Sequence, residues 1–299
     1  MAFPTIPTVA AGRVLSALAT SPSGTHTSPS LSSLTKNEGD LLIAIVLIYD
    51  GNSTNAEFSS WGGGFTEFGD FAGTATVSIG CAYKWSTGSE TGTFTVTSAD
   101  ASTNDSAFFL LSIPGANATT PPEAGGYATG TTTACLSGAL DPGGWGAEDT
   151  LWITAAAVGE TGTGGTFTGI GTGIPTNYSD LVDTGISADV VGGIEGAVAF
   201  RQLNASSEGG TDADFANDTS NARWGAITIA VRPPGDVTVT VPEAGTSTAS
   251  APLPTIVETT LPAAAEGAAS APLPTITETL APGAATGREI GRASCRERV

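Results

Sequence analysis

Long apolar runs alternate along this chain with turns rich in glycine, threonine and asparagine. Residues 41–49 are nine consecutive apolar residues, and five of them are Ile, Val or Tyr. Such a run is typical of a strand that is buried on both faces. A similar run occupies residues 148–159, and its first two residues are acidic. We expect both runs to be central strands of the core.

Shorter strand patterns surround these two runs. Residues 13–19, 77–85, 92–97 and 107–113 read as strands, and residues 92–97 alternate between polar and apolar side chains. The chain has 40 Gly and 18 Pro, and stretches with helical periodicity are scarce. The pattern predicts an all-β protein, an antiparallel, jelly-roll-like β-sandwich. It fits one large sandwich or two small β domains.

The second half of the chain repeats the order of the first. Its segments 178–181, 199–202 and 226–233 match segments 65–68, 82–85 and 107–114, respectively. Spacing that grows steadily along the chain is what an old duplication with loop insertions would leave. We predict an N-terminal arm at 1–8 and a sandwich at 9–235 with half-repeats at 38–115 and 147–235. Chance similarity between generic strands is the alternative.

The composition changes after residue 235. Residues 236–241 alternate like one more strand, and the sequence of 250–256 recurs at 270–276. Closely spaced prolines prevent a regular helix, so residues 236–288 are expected to form an extended linker or stalk. Residues 289–299 resemble a translated sequencing adapter and are left out of the fold prediction.

The charge balance restricts the partners of the chain. It has 29 acidic and 10 basic residues, a formal net charge of -19. Such a chain repels nucleic acids and anionic membranes. No apolar run reaches membrane-spanning length, and the N-terminus lacks the basic start of a classical signal peptide. We therefore predict neither nucleic-acid binding nor membrane insertion.

Few residues offer catalytic chemistry. The single histidine, His26, lies in a Ser/Thr/Pro-rich segment and is expected to be a solvated loop residue. If His26 is not catalytic, the chain has no histidine for a Ser/His/Asp or Cys/His arrangement. Cys81 and Cys135 could form a disulfide or remain buried thiols. We predict that the protein is not an enzyme and has no cofactor apart from possible calcium.

Two groups of residues are candidate binding sites. Trp61 and Trp145 both neighbour glycines and could form exposed platforms that stack on sugars, although a core or turn-anchoring role is the alternative. The acidic segment with Asp212, Asp214 and Asp218 could bind calcium through its carboxylates. Asp and Asn are also common turn residues, which is the alternative for this segment.

Four motifs carry a resemblance to known proteins. They are Gly-Asp-Leu-Leu-Ile-Ala at 39–44, Gly-Phe-Thr-Glu at 64–67, Ala-Tyr-Lys at 82–84 with its continuation at 88–94, and the closing segment 224–233. With them, the chain resembles β-sandwich proteins, jelly-roll or lectin-like, among tailed-bacteriophage virion proteins and bacterial surface proteins.

The resemblance implies a non-enzymatic structural or adhesion protein, tail- or capsid-associated, on a virion or an extracellular surface. Its implied partners are other virion or surface proteins, and it could oligomerise. A carbohydrate-binding module of a larger protein, assisted by calcium and directed at cell-surface glycans, is the alternative. The motifs are structural, so the resemblance transfers no functional residues.

Overall fold

The computed structural model describes residues 2–21, 24–49, 58–72, 77–99, 104–132, 134–160, 175–184, 193–209, 214–216 and 223–235. By its internal contacts, Met1–Asp236 forms one compact unit. The predicted stalk at 236–288 and the adapter-like end at 289–299 lie outside the described residues.

Strands make up almost all regular structure in these ranges, with one short 3-10 turn at Leu31–Ser33. The strands of the first half are β1 Val14–Ser21, β2 Thr25–Thr27, β3 Glu38–Tyr49, β4 Phe58–Trp61, β5 Thr66–Phe71, β6 Val77–Thr87, β7 Thr95–Ser98 and β8 Asn104–Ile113. Those of the second half are β9 Glu123–Gly130, β10 Ala134–Leu136, β11 Glu148–Glu160, β12 Ser179–Asp183, β13 Gly193–Ala205, β14 Asp214–Ala216 and β15 Arg223–Val231. The all-β prediction is confirmed. Within the described ranges, no helix has the length and apolar character needed to cross a bilayer.

Two five-stranded antiparallel sheets form the body of the protein. The first sheet has the strand order β1-β8-β3-β6-β5, and the second, starting from its β9 edge, has β9-β15-β11-β13-β12. The orders are the same when β1, β3, β5, β6 and β8 are matched with β9, β11, β12, β13 and β15. The two halves of the chain therefore build sheets of one topology.

The centre of the first sheet is β3, the strand predicted from the longest apolar run. Side chains on opposite faces of a strand alternate, so Ile43 and Ile45 point to one layer while Leu42 and Ala44 point to the other. All four are completely buried. Strand β11 has the same position in the second sheet and is likewise buried along its apolar run. The prediction of two doubly buried central strands is confirmed.

The two sheets pack face to face around one apolar core. This core contains Ile43, Ile45 and Phe109 from the first sheet and Ile153 and Ile227 from the second. Across the interface β3 contacts β11, β8 contacts β13, and β6 contacts β15. At the margins β5 contacts β9 and β1 contacts β12. Each contact has a mate with the two halves exchanged, the pattern of an internal twofold arrangement.

A small sheet covers the outer face of each large sheet. Strands β2-β7-β4 lie over the first, and their layer is filled by residues such as Leu42, Phe58 and Val96. Strands β10-β14 lie over the second, where Cys135 and Phe215 belong to the packed cluster. Both faces of the central strands are buried for this reason.

The pairing registers define which residues of the halves are equivalent. Ala44 pairs with Ala82 and Leu110, and Thr154 pairs with Ala199 and Thr228. These pairs equate Ala44 with Thr154 and Leu110 with Thr228. The sequence match of 107–114 with 226–233 is one residue out, because it would equate Leu110 with Ile229. A shift of one residue moves every side chain of a strand to the opposite face.

Equivalent positions meet where β3 and β11 cross. Tyr49 is the equivalent of Gly159 by the register above, and the two lie against each other in the core. A Cβ atom added to Gly159 would lie about 2.2 Å from the Tyr49 ring. Two large side chains cannot occupy this place together, so the large residue of one half requires the glycine of the other.

Candidate functional site

Trp61, the first predicted ligand-binding residue, ends β4 and is partly exposed. Its indole Nε1 donates a 2.7 Å hydrogen bond to Glu67 Oε2 at the start of β5. Its ring is tilted against Phe58, with centroids 6.0 Å apart, and packs against the outer core cluster. Trp61 is thus held in one orientation beside the exposed carboxylate of Glu67. We call residues 61–67 the Trp61 turn.

Three glycines allow the Trp61 turn to lie directly on β7. A Cβ atom at Gly62 would come within 3.0 Å of the Thr95 carbonyl oxygen. Gly63 has a φ of +67° and lies over Phe94, 3.1 Å from the place of a Cβ. Side chains at either position would lift the turn and separate Trp61 from Glu67.

Lys84 of β6 holds the turn from its other side. Its Nζ donates a 3.0 Å hydrogen bond to the Gly63 carbonyl oxygen, lies 3.5 Å from Glu90 Oε1, and sits 5.8 Å from the centroid of the Phe65 ring. Burial raises the pKa of Glu90. Hydrogen bonds from the backbone N–H groups of Thr87 and Glu90 itself and from the Ser86 and Thr87 hydroxyls outweigh this and lower the pKa to about 2. Glu90 is therefore a structural anion that orders the turn at 86–90.

The second half contains the same ion pair. Arg201, the equivalent of Lys84 on β13, places Nη1 2.5 Å from Glu208 Oε1. Glu90 and Glu208 both follow a serine and precede Gly-Thr by two residues, at 89–93 and 207–211. This repeated motif is the sequence signal of the shared ion pair.

Trp145, the second predicted platform residue, is buried with 8% of its surface exposed. Its ring belongs to the outer cluster of the second half, and the Arg232 guanidinium lies 5.8 Å from its centroid. Arg232 in turn donates two hydrogen bonds to the carboxylate of Glu148, which hold the pKa of Glu148 below its ordinary value. Of the two roles considered for Trp145, the structure shows the core or turn-anchoring one: Trp145 anchors the segment before β11, and Arg232, the residue after β15, covers its ring.

The structure leaves the predicted calcium site largely undescribed. Asp214 is the first residue of β14, whereas Asp212 and Asp218 lie outside the described residues. In the described ranges, no group of three or more His, Cys, Asp or Glu side chains could hold a metal ion. Calcium binding at Asp212, Asp214 and Asp218 stays a prediction.

His26 is the main surprise among the titratable residues. It lies in the middle of β2, completely buried, with Nε2 3.3 Å from Ser98 Oγ and no hydrogen-bond partner at Nδ1. Burial lowers its pKa to about 4. The expectation of a solvated loop histidine is wrong, because β2 covers the outer face of the first sheet and turns this side chain inward.

The two cysteines of the sandwich lie in different layers. Cys81 is in the core between the large sheets, and Cys135 is in the outer layer of the second half. They are not joined in a disulfide. Burial raises the pKa of the Cys81 thiol well above its ordinary value, and the carboxylates of Glu67 and Asp70 raise it further. Cys81 is therefore a neutral core thiol, unsuited to nucleophilic chemistry.

Asp40, in the first of the quoted motifs, has a structural role as well. Its Oδ2 accepts hydrogen bonds from Arg13 Nη1 at 2.7 Å, Ser112 Oγ at 3.1 Å and the Asn37 backbone N–H at 2.9 Å. It ties the beginning of β3 to the segments before β1 and at the end of β8. The motif residues thus hold strand ends together.

Comparison with known proteins gives no match. No family model, no curated protein and no solved structure is detectably similar to the chain.

Proposed function

We propose that this protein is a non-enzymatic surface scaffold, of the kind that a virus particle or a cell surface displays for structure or adhesion. The observation that carries the proposal is that its reactive side chains are buried or make structural contacts. His26 and Cys81 fill apolar layers, and Glu90, Glu208 and Asp40 are committed to basic partners or backbone N–H groups. Ionisable side chains that hold strand ends together make the fold rigid and are not left free for catalysis.

The arrangement of the chain supports the same function. Two sheets of one topology share a single core, which gives a stiff body with loops at its ends, where binding residues are commonly placed. The proline-rich repeats after residue 241 would act as an extended spacer between this body and an anchor. A jelly-roll-like body on such a spacer is suited to display.

Association with particles tests this proposal directly. Antibodies raised against the chain are used to follow it when particles from the source culture are separated on a density gradient. We expect it to co-sediment with intact particles in a constant ratio to the major coat protein and to be labelled on their surface. Recovery only in the unassociated protein fraction would contradict the proposal.

The Trp61 turn favours a second candidate function, glycan binding. An indole face can stack on the apolar face of a sugar ring, and a neighbouring carboxylate can accept hydrogen bonds from sugar hydroxyls. Trp61 is partly exposed, Glu67 is exposed, and a 2.7 Å hydrogen bond fixes their relative position.

A glycan array with three forms of the protein tests this function. Trp61→Ala should weaken binding by up to about tenfold, because stacking on an aromatic ring contributes about 0.5–1.5 kcal/mol. Trp61→Phe keeps an aromatic ring and should keep part of the binding. Melting curves of the variants verify folding. Binding that survives Trp61→Ala but is lost with a chelator would instead indicate the acidic segment 212–218. No binding to any glycan would remove the hypothesis.

A further inference from the structure

We propose that the outer edge of β1 pairs with β1 of a second copy of this chain, so that two first sheets join into one continuous sheet. The proposal concerns assembly and does not depend on the proposed function. It rests on how the four edges of the two large sheets differ in regularity, hydrogen bonding and charge.

Strand β1 is the regular edge. It pairs with β8 through eight consecutive residue pairs from Val14 to Ser21, without a register shift. Its sequence, Val-Leu-Ser-Ala-Leu-Ala-Thr-Ser, contains no charged residue, no proline and no glycine. In the described part of the chain, no strand pairs with its other side. Proteins usually protect such an edge with a bulge, a charge or a proline.

The outward backbone groups of β1 can be identified. Ser112 N–H donates to the Arg13 carbonyl oxygen, so residue 13 faces β8. Backbone direction alternates along an antiparallel strand, which turns the amide and carbonyl groups of Val14, Ser16 and Leu18 away from β8. These groups form a donor-acceptor row that another strand can use, and Ser16 in its middle is exposed.

The equivalent edge in the second half is blocked. Strand β9 has a register shift opposite Ala226 and Thr228, and the bulged Gly126 has its carbonyl oxygen bonded by the N–H of Gly138. Ser16 pairs with Phe109, the equivalent of Ile227, which lies opposite the β9 bulge. Ser16 is therefore the β1 residue at the position of the bulge. Strand β1 pairs with β8 without a register shift, so it has no bulge of this kind.

Charge determines which partner fits this edge. Strand β5 carries Glu67 and Asp70 and strand β12 carries Asp180 and Asp183, and the pairing of both has a register shift. In a chain with a formal net charge of -19, two copies meeting at either edge would oppose carboxylates. Strand β1 itself carries none, and the carboxylates beside it belong to β12 in the other layer, where the Asp183 carbonyl oxygen accepts a hydrogen bond from Ser16 Oγ at 3.5 Å. One such edge per chain gives a closed, twofold dimer, because antiparallel self-pairing uses the same strand on both sides.

Sedimentation of the full chain over a concentration series tests the dimer. We expect a monomer-dimer equilibrium that tightens as salt is added, since salt screens the repulsion between two acidic chains. Ser16→Asp should weaken it about tenfold or more by placing two carboxylates across the twofold axis. Ser16→Ala, which leaves the edge intact, should dimerise like the unchanged chain. Melting curves check that both variants fold.

Cross-linking identifies the surface. In a Cys295→Ser background, Ser16→Cys should form a covalent dimer on oxidation, whereas Thr66→Cys on the exposed β5 edge should not. A chain that stays monomeric at every concentration would overturn the proposal. So would a dimer indifferent to Ser16→Asp, or assemblies larger than a dimer.

Discussion

The two halves of the sandwich share a strand order but differ in what fills their outer layers. In the first half, Ala44 and Leu110 of the large sheet are apolar, and His26 of β2 lies among buried residues. In the second half the equivalents of Ala44 and Leu110 are Thr154 and Thr228, and the outer layer contains the thiol of Cys135 from β10. Thr228 Oγ1 lies 2.9 Å from Ser137 Oγ, and Thr154 Oγ1 lies 3.2 Å from the Ile227 carbonyl oxygen.

This comparison separates what the fold requires from what it tolerates. Apolar residues and hydrogen-bonded hydroxyls both satisfy the outer layers, because a buried polar group is acceptable when it has a partner. The inner layer is less tolerant, since Tyr49 of one half needs Gly159 of the other. The topology is therefore kept while the outer chemistry of the halves diverges.

Breaking the shared core should have the largest effect. Ile45→Asp and Ala155→Asp, at equivalent completely buried positions, each place an unpaired carboxylate between the sheets. We expect a loss of several kcal/mol and unfolding of both halves together. Thermal melting followed by circular dichroism measures this loss of stability.

A matched outer-layer variant serves as the control for these two. Leu42→Asp should be less damaging than Ile45→Asp, because Leu42 lies directly across from Lys84, which can pair with the new carboxylate. Normal melting of Ile45→Asp would contradict the core assignment.

Lowering the pH should destabilise the protein through protonation of His26. Its folded pKa of about 4 lies below the ordinary value of 6.5, so the unfolded chain binds the proton more readily. Its contribution to stability is therefore complete above pH 6.5 and is lost as the pH falls towards 4, by about 3 kcal/mol at most. Urea unfolding across this range measures the loss.

His26→Cys replaces the imidazole with a thiol that stays neutral in this pH range, so it should flatten this pH dependence, whatever its effect at neutral pH. Titration of Glu90 does not contribute to the pH dependence above pH 4.5, since its stabilising effect is lost only between pH 4.5 and about 2. An unchanged slope in the variant would show that His26 is not the responsible group.

The smallest effect should come from the place where equivalent residues meet. Gly159→Ala forces the Tyr49 ring to move and should cost about 1–3 kcal/mol. Tyr49→Ala in the same chain makes room for the new methyl group, so the two changes together should cost less than the sum of each alone. A double-mutant cycle of unfolding free energies measures the coupling, and strict additivity would argue against the contact.

The sequence predicts the parts of this fold in which composition and periodicity agree. The run at 41–49 could only be a central strand, and the motif around Asp40 lies at its beginning as expected of a structural signal. The small covering sheets could not be predicted in this way. Strand β2 has three residues, too few to show a period, and His26 is buried only because the first sheet offers a face to cover.

The candidate site was predicted in part for a similar reason. Glycines beside Trp61 and Trp145 suggested exposure for both. Trp61 remains partly exposed, whereas Trp145 is covered by Arg232, a residue distant in the sequence. Local composition cannot report such a contact. Nor can it fix register, which is why one matched segment was a residue out.

Native-state hydrogen exchange most directly tests the central claim, that two equivalent sheets share one core and form a single rigid scaffold. The amides of β3 and β11 should exchange through the same global opening, with equal free energies and equal denaturant dependence. Exchange of β11 and β13 through a lower-energy opening, with β3 and β6 still protected, would contradict it.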